Sequence, residues 1–376
     1  MSYDPEARRD TPLALKLKHR IARDGAVSVE DYMHACLYDP EHGYYVKRPA
    51  IGAGGDFITA PEISQIFGEL IGLWSAVVWQ QMGSPERIKL TELGPGRGTL
   101  LADALRAARV LPAFLAAVEV ELVETNEVLI ESQRQALGKA GVPLAWTERL
   151  ELRHPAPTPT IIIGNEFLDT IPVGHHVLAA YGWREQQVTL DAAGRLVFGI
   201  GTPCRDPVIS DPASTNQVVP ATGAIHEFRR SPTVLEDIAQ RASQAPVASL
   251  LLDYGHLRST FGDTLQAVRD HRFEHPLTSP GEADLTAQVD FHDIAARARS
   301  LGLAVDGPVT QAEFLGALGI VERASKLMAT NPASAGSLEI GVARLISPTG
   351  MGGRFKAIGL RSQGLQPLPA FPVQAE

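Results

Sequence analysis

The sequence predicts an α/β protein whose core is a doubly wound, mostly parallel β-sheet, with a helical N-terminal extension and an inserted antiparallel β segment. Three observations predict it. From Ile88 onward, short apolar runs alternate with stretches of helical periodicity, the rhythm of parallel strands joined by crossover helices. A glycine-rich turn, TELGPGRGTLL, falls where the first of those strands meets its helix. Two runs, TIIIGN and VASLLLD, are almost wholly apolar, as strands covered on both faces are.

The elements follow in order. In TPLALKLKHRIARDG, Leu13, Leu17 and Ile21 recur every four residues, so a helix is expected there, stopped by Gly25. Ser28 heads SVEDYMHACLY as an N-cap with Asp31 three residues on, a variant of the capping box. ISQIFGELIGLWSAVVWQQMG reads as a third helix, apolar enough to be buried. Before it, IGAGGDFITAPE is bounded by Pro49 and Pro61 and cannot be regular helix; its glycines favour close approach to a backbone or a ligand. Residues 1–85 are therefore expected to form a helical extension packing on the core, and 86–376 the main domain. In that domain IKLTELG, VEVELVE, LAWTE, TIIIGNE and VASLLLDYG read as strands. TLLADALRAAR and VLIESQRQALGKAG read as helices, the second closed by Gly141. Residues from about 173 to 219 break the rhythm with alternating β-rich segments, an inserted meander. After Ser300, LAVDGPVT, QAEFLGALG and FKAIGLR resume it, and a Pro-rich tail follows.

Composition narrows the classes. The chain has 376 residues, 44% hydrophobic and 20% charged, enough core for a stable fold without disulfides or metals. A net charge of −9 argues against sequence-independent nucleic-acid binding, which needs a basic surface. Two distant cysteines, Cys36 and Cys204, give no disulfide framework and suit a reducing compartment. No apolar run reaches the ~18 residues of a membrane span. Asp4, Glu6 and Asp10 suit neither a signal nor a transit peptide, so a cytoplasmic protein is expected.

The cofactor is read from the glycine turn. Gly94, Gly96 and Gly98 follow a strand and precede a helix, letting the backbone turn sharply and a ligand lie against main-chain atoms. A dinucleotide site needs G-x-G-x-x-G/A, but Thr99 stands where the third small residue belongs, and Pro95 removes an amide donor. No G-x-x-x-x-G-K-[ST] loop occurs. Glu92, two residues before the first glycine, would repel a pyrophosphate and attract an ammonium or sulfonium. S-adenosylmethionine carries both cations and no phosphate. Glu124 ends the next strand, where a carboxylate can accept the ribose hydroxyls.

Several blocks go beyond the generic turn: GDFITAPEISQIFGELIG, ELGPGRGTL, VETN, IIIGNEFLDTIPVG, LLDYG with GDTLQA, and PLTSPGEADLTAQVDF. In these the sequence resembles the MidA-type class I methyltransferases over roughly Gly43 to Leu360. That family includes the mitochondrial protein arginine methyltransferase needed for respiratory complex I assembly. The resemblance implies a Rossmann-like class I methyltransferase fold and methyl transfer from S-adenosylmethionine to a protein arginine. For the mitochondrial member the product is symmetric dimethylarginine on a complex I subunit. The lack of a transit peptide points to a bacterial-type relative.

An arginine acceptor calls for carboxylates, which grip the guanidinium fork and take the proton released on methylation. Asn165, Glu166 and Asp169 follow a buried strand at its carboxyl end, where open α/β sheets bind ligands. The segment lacks the N-P-P-Y pattern of amino-methylating DNA enzymes. Asp56, in the GGDF turn, is a further candidate for closing over the cofactor or substrate, Asp284 and Asp290 are candidates for the substrate groove, and Asp253, at the end of another buried strand, is a fallback catalytic acid. His271 and His275 would present two metal ligands if helical, but Pro276 interrupts and no metal is expected. Two rival readings are a non-catalytic S-adenosylmethionine-binding assembly factor and a nicotinamide-dependent oxidoreductase. The paired acids disfavour the first and Thr99 the second.

Overall fold

In the computed structural model, which describes residues 3–47, 59–150, 157–207, 220–229 and 233–372, the chain divides into two units. The larger comprises Ile58–Leu168, Thr233–Leu257 and Val289–Glu376; the smaller comprises Met1–Phe57, Asp169–Pro232 and Arg258–Gln288.

The main sheet of the larger unit has, among the described residues, seven long-path strands. They are β1 (Ile88–Leu93), β2 (Val118–Val123), β3 (Leu144–Thr147), β4 (Thr160–Asn165), β5 (Val247–His256), β6 (Ala304–Thr310) and β7 (Phe355–Arg361). Their spatial order is β3-β2-β1-β4-β5-β7-β6. Strands β1 to β5 pair parallel, and β7 runs antiparallel to both its neighbours. A doubly wound, mostly parallel sheet is what the strand–helix rhythm predicts. The order reverses between β1 and β4, and such switch points open a crevice at the carboxyl ends of the strands. Every residue of β4 is buried, as in a strand covered on both faces.

The helix α1 (Gln65–Gln81), capped by Ser64, which accepts from the Ile66 amide, packs against α2 (Thr99–Ala107). The approach depends on two glycines. A Cβ on Gly72 would lie 2.3 Å from the Ala104 carbonyl oxygen, and one on Gly68 would lie 2.7 Å from Asp103 Cβ. We expect Gly72→Ala to cost about 2 kcal/mol, the scale of overpacking against a fixed backbone. Urea unfolding would show it as a lower midpoint at unchanged slope; an unaltered midpoint would mean the helices slide apart freely.

In the smaller unit, helices Pro12–Asp24 and Val29–Tyr38 begin at Thr11 and Ser28, whose hydroxyls accept from the amides of Ala14 and Asp31. They pack on an antiparallel sheet of Gly174–Ala179, Gly182–Leu190, Leu196–Pro203 and Ile225–Phe228, joined at its edge by Val27–Ser28. Leu13, Leu17, Tyr32, Val173, Val188 and Leu285 share this core. The inserted β segment is thus antiparallel as its alternation predicts.

The units do not follow the expected break near residue 85. Helix α1 is held by α2 and belongs to the sheet, whereas the first two helices cover the inserted strands. The helix Glu127–Leu137 (α3) ends before Gly141, which turns the chain afterwards at φ +76°. His271 lies in a two-residue hairpin turn with Asp270, at φ +61° and +49°, between strands Gln266–Arg269 and Arg272–Glu274. It is therefore no helical partner of His275.

Candidate cofactor and acceptor site

The turn after β1 requires its glycines. Gly94, Gly96 and Gly98 sit at φ +59°, +54° and +81°, the left-handed region that side chains with a Cβ rarely enter. The Gly98 amide donates to Pro95 O at 2.8 Å and the Gly94 amide to Val123 O at 3.1 Å. A Cβ on Gly94 would approach the Phe167 ring at 3.1 Å. Thr99, the residue that breaks the dinucleotide pattern, donates its hydroxyl to Glu62 Oε1 at 2.8 Å.

Glu92 is 3% exposed, and among the described residues its Oε2 has no hydrogen-bond partner. Burial, and then repulsion from Glu124, push its carboxyl well above the usual carboxylate range. A buried acid so placed is costly unless a cation answers it. Glu124, at the end of β2, accepts through Oε1 from the amides of Thr125 (2.8 Å) and Asn126 (2.9 Å). Its Oε2 accepts from Gln133 Nε2 at 3.2 Å, and burial raises its pKa.

Gln133 is the residue that sequence reasoning missed. Fully buried on α3, it donates to Gly96 O at 2.7 Å as well as to Glu124, and accepts from Trp146 Nε1 at 2.8 Å. One amide therefore ties the glycine turn, the acid of β2 and β3 together. Its signal was present: a polar residue midway along the buried stripe Leu129, Gln133, Leu137.

At the end of β4, Asn165 is 8% exposed and Glu166 takes φ +52°. A non-glycine residue there is strained, and such strain gathers at functional sites. The Glu166 amide still donates to Leu252 O on β5 at 2.8 Å, fixing the backbone. Its Oε1 accepts from the Ala60 amide at 3.1 Å and from Asn165 Nδ2 at 3.3 Å. Asp253, on β5, is fully buried and accepts from the amides of Leu168 (2.8 Å) and Tyr254 (2.9 Å), which makes it a fastener of the turn after β4.

The fold therefore gathers Glu92, Gly94, Gly96, Gly98 and Glu124 at the carboxyl edge of β1 and β2, with Asn165 and Glu166 on the adjoining strand. Asp169 belongs to the smaller unit, 5% exposed, with its carbonyl accepting from the Ala287 amide at 3.2 Å. Asp284 is in that unit too and accepts from Tyr45 OH at 2.9 Å. Asp290 caps the helix Phe291–Ser300 and lies 3.5 Å from His256 Nε2. Asp56 lies outside the described residues.

The residues present fit S-adenosylmethionine: an orphaned buried carboxyl suits its cationic end, and three left-handed glycines leave the backbone bare. Comparison with known proteins agrees. A family model described as "Putative S-adenosyl-L-methionine-dependent methyltransferase" matches residues 70–309. The human protein arginine methyltransferase NDUFAF7, mitochondrial, is 34% identical over 95% of this chain and 85% of its own length. The Drosophila melanogaster homolog is 33% identical, over 93% and 84%. A candidate methyl transferase from Burkholderia thailandensis, solved with S-adenosyl-homocysteine bound, superposes with a TM-score of 0.81 at 26% identity, covering 97% of each chain. The names of the curated relatives say mitochondrial and give no support to a cytoplasmic location. Among the described residues no helix is long and apolar enough to cross a membrane.

Proposed function

We infer the function from one premise: the chain belongs to the S-adenosylmethionine-dependent methyltransferase family that includes the protein arginine methyltransferase NDUFAF7. It is an S-adenosylmethionine-dependent methyltransferase. The acceptor we propose is an arginine of a protein, and the family resemblance suggests a respiratory complex I subunit as that protein. The observation that supports an arginine acceptor is Glu166, a carboxylate kept in a strained backbone at the switch point beside the glycine turn.

When bound, S-adenosylmethionine supplies an electrophilic methyl group on a sulfonium sulfur. Glu92 would hold the cationic end in a dry site, where a charge interaction is strongest. The bare backbone of Gly94 to Gly98 would hold the cofactor against main-chain atoms, and Glu124 Oε2, which takes one bond from Gln133, would accept from ribose hydroxyls with its remaining lone pair. Glu166 and Asn165 orient the acceptor. A guanidinium has a pKa above ~12, so a carboxylate that grips it can take its proton as the new N–C bond forms. Asp169 is the second proposed acid.

The test of the acceptor is to incubate the enzyme with tritiated S-adenosylmethionine and a lysate of its own organism. Tritium recovered as methylarginine after hydrolysis is expected, and mass spectrometry of the labelled band names the substrate. Label confined to another amino acid would overturn the arginine reading.

Glu124 and the tether Gln133 have smaller expected effects. Glu124→Gln keeps its shape but loses a charged acceptor worth ~1.5–3 kcal/mol, so calorimetry should show binding weaker by about tenfold or more. Gln133→Leu should weaken it by about tenfold as well, because the tether to Gly96 and Glu124 goes. If Gln133→Leu binds as the wild type does, the turn keeps its form without that tether.

A further inference from the structure

The smaller unit holds a second constellation that methyl transfer does not use. His175 and Glu227 are opposed residues in the antiparallel pairing of Gly174–Ala179 with Ile225–Phe228. The ring Nε2 of His175 faces Glu227 Oε2 at 3.0 Å, and Nδ1 faces Gln186 Oε1 at 2.9 Å. The His175 side chain is fully buried and that of Glu227 is 10% exposed. Asp263 joins them from an exposed loop, which is anchored by the Gly262 amide donating to Ile225 O at 2.8 Å. One ligand atom from each of the three residues lies within 4.8 Å of the others.

We propose that His175, Glu227 and Asp263 form a binding site for a divalent transition-metal ion of the zinc type. The outer contacts are those a metal site needs. With an ion bound at Nε2, the ring proton sits on Nδ1, where Gln186 Oε1 at 2.9 Å would accept it and hold the ring's orientation. The Thr264 hydroxyl holds Glu227 Oε1 at 2.5 Å, which orients Oε2. Ligand bonds of about 2.0–2.1 Å put neighbouring ligand atoms about 3.3 Å apart in a tetrahedron. The His175–Glu227 spacing, at 3.0 Å, is close to this, and Asp263, whose Oδ1 accepts from the Leu265 amide at 3.2 Å, would bring an oxygen in by turning its exposed carboxylate. One imidazole and two carboxylates suit zinc over soft metals, and three protein ligands leave a position for water. A bound ion would pin the loop before Gln266–Arg269 to the sheet.

The test uses the full chain, stripped with chelator and titrated with zinc chloride by calorimetry and thermal melting. One equivalent should bind, and the melting temperature should climb with free zinc, as it does when a ligand binds only the folded state. Asp263→Asn should weaken binding by about tenfold or more and His175→Gln by about 100-fold or more, since removing a ligand costs at least the ~10–100-fold that losing an outer-shell partner does. Asp263 is exposed, so its variant folds and decides the matter even if His175→Gln does not. No stoichiometric uptake by the wild type, or wild-type affinity in Asp263→Asn, would overturn the proposal.

Discussion

Glu92→Gln should bind S-adenosylmethionine about 10²-fold more weakly than the wild type and yet melt at a higher temperature without ligand. The loss follows from truncating a buried charge partner, which costs 2–5 kcal/mol. The gain follows from linkage. Burial raises the folded-state pKa of Glu92 well above its ordinary value of 4.5. Below that ordinary value the carboxyl is neutral in both states and costs nothing extra. As pH rises past it, the unfolded chain releases the proton first, so stability falls until the raised folded pKa is reached. A glutamine escapes that loss. Thermal melts at pH 4 and pH 7.5 should therefore differ: little gain for the variant at the lower pH and a clear gain at the higher. The same raised pKa predicts proton release on cofactor binding, visible as a buffer-dependent heat. Retained affinity with a lower melting temperature would make Glu92 a structural acid.

Glu166→Gln should lose methyl transfer by ~10²-fold or more, the scale of a positioned acid or base, while cofactor affinity stays near normal. The carboxylate acts on the acceptor, so the effect should fall on turnover. A companion variant separates chemistry from scaffolding. Glu166→Gly relieves a left-handed backbone worth about 1–3 kcal/mol and gives up two hydrogen bonds, from the Ala60 amide and Asn165 Nδ2, of about 0.5–1 kcal/mol each and ~0.5–1 kcal/mol of chain entropy. Its stability should stay within about 1 kcal/mol of the wild type while activity is lost. Full activity in the double change Glu166→Gln with Asp169→Asn would reject these acids. Asp56 and Asp284 would then be the next to test, because Asp253 is spent on the amides of Leu168 and Tyr254.

The strands were legible wherever burial left a local mark. The run of TIIIGN announces a strand covered on both sides, and Thr11, Ser28, Gly25 and the three turn glycines each act within a few residues of themselves. What the sequence could not carry was partnership over distance. The first helices read as a lead-in to the sheet, but their apolar stripe is matched by Val173, Val188 and Leu285, far along the chain. Gln133 was passed over for the same reason. Its partners Gly96, Glu124 and Trp146 come together only once three strands are aligned. The left-handed backbone of Glu166 left no local trace either: its amide is held by Leu252 of β5 and its carboxylate by the Ala60 amide, both far from it along the chain.

The place of β7 in the sheet bears on how the chain is made. Phe355–Arg361 lies between β5 and β6, pairing along the whole of Ala248–Tyr254. During synthesis β5 can join β4 early, but along Ala248–Tyr254 it meets its antiparallel partner only when Phe355 leaves the ribosome. Throughout that interval a strand bearing Leu250, Leu251 and Leu252 presents an unpaired edge, the kind that recruits other chains. A nascent chain halted before Phe355 should therefore depend on chaperones to stay monomeric, and release from them should coincide with the arrival of the last strand.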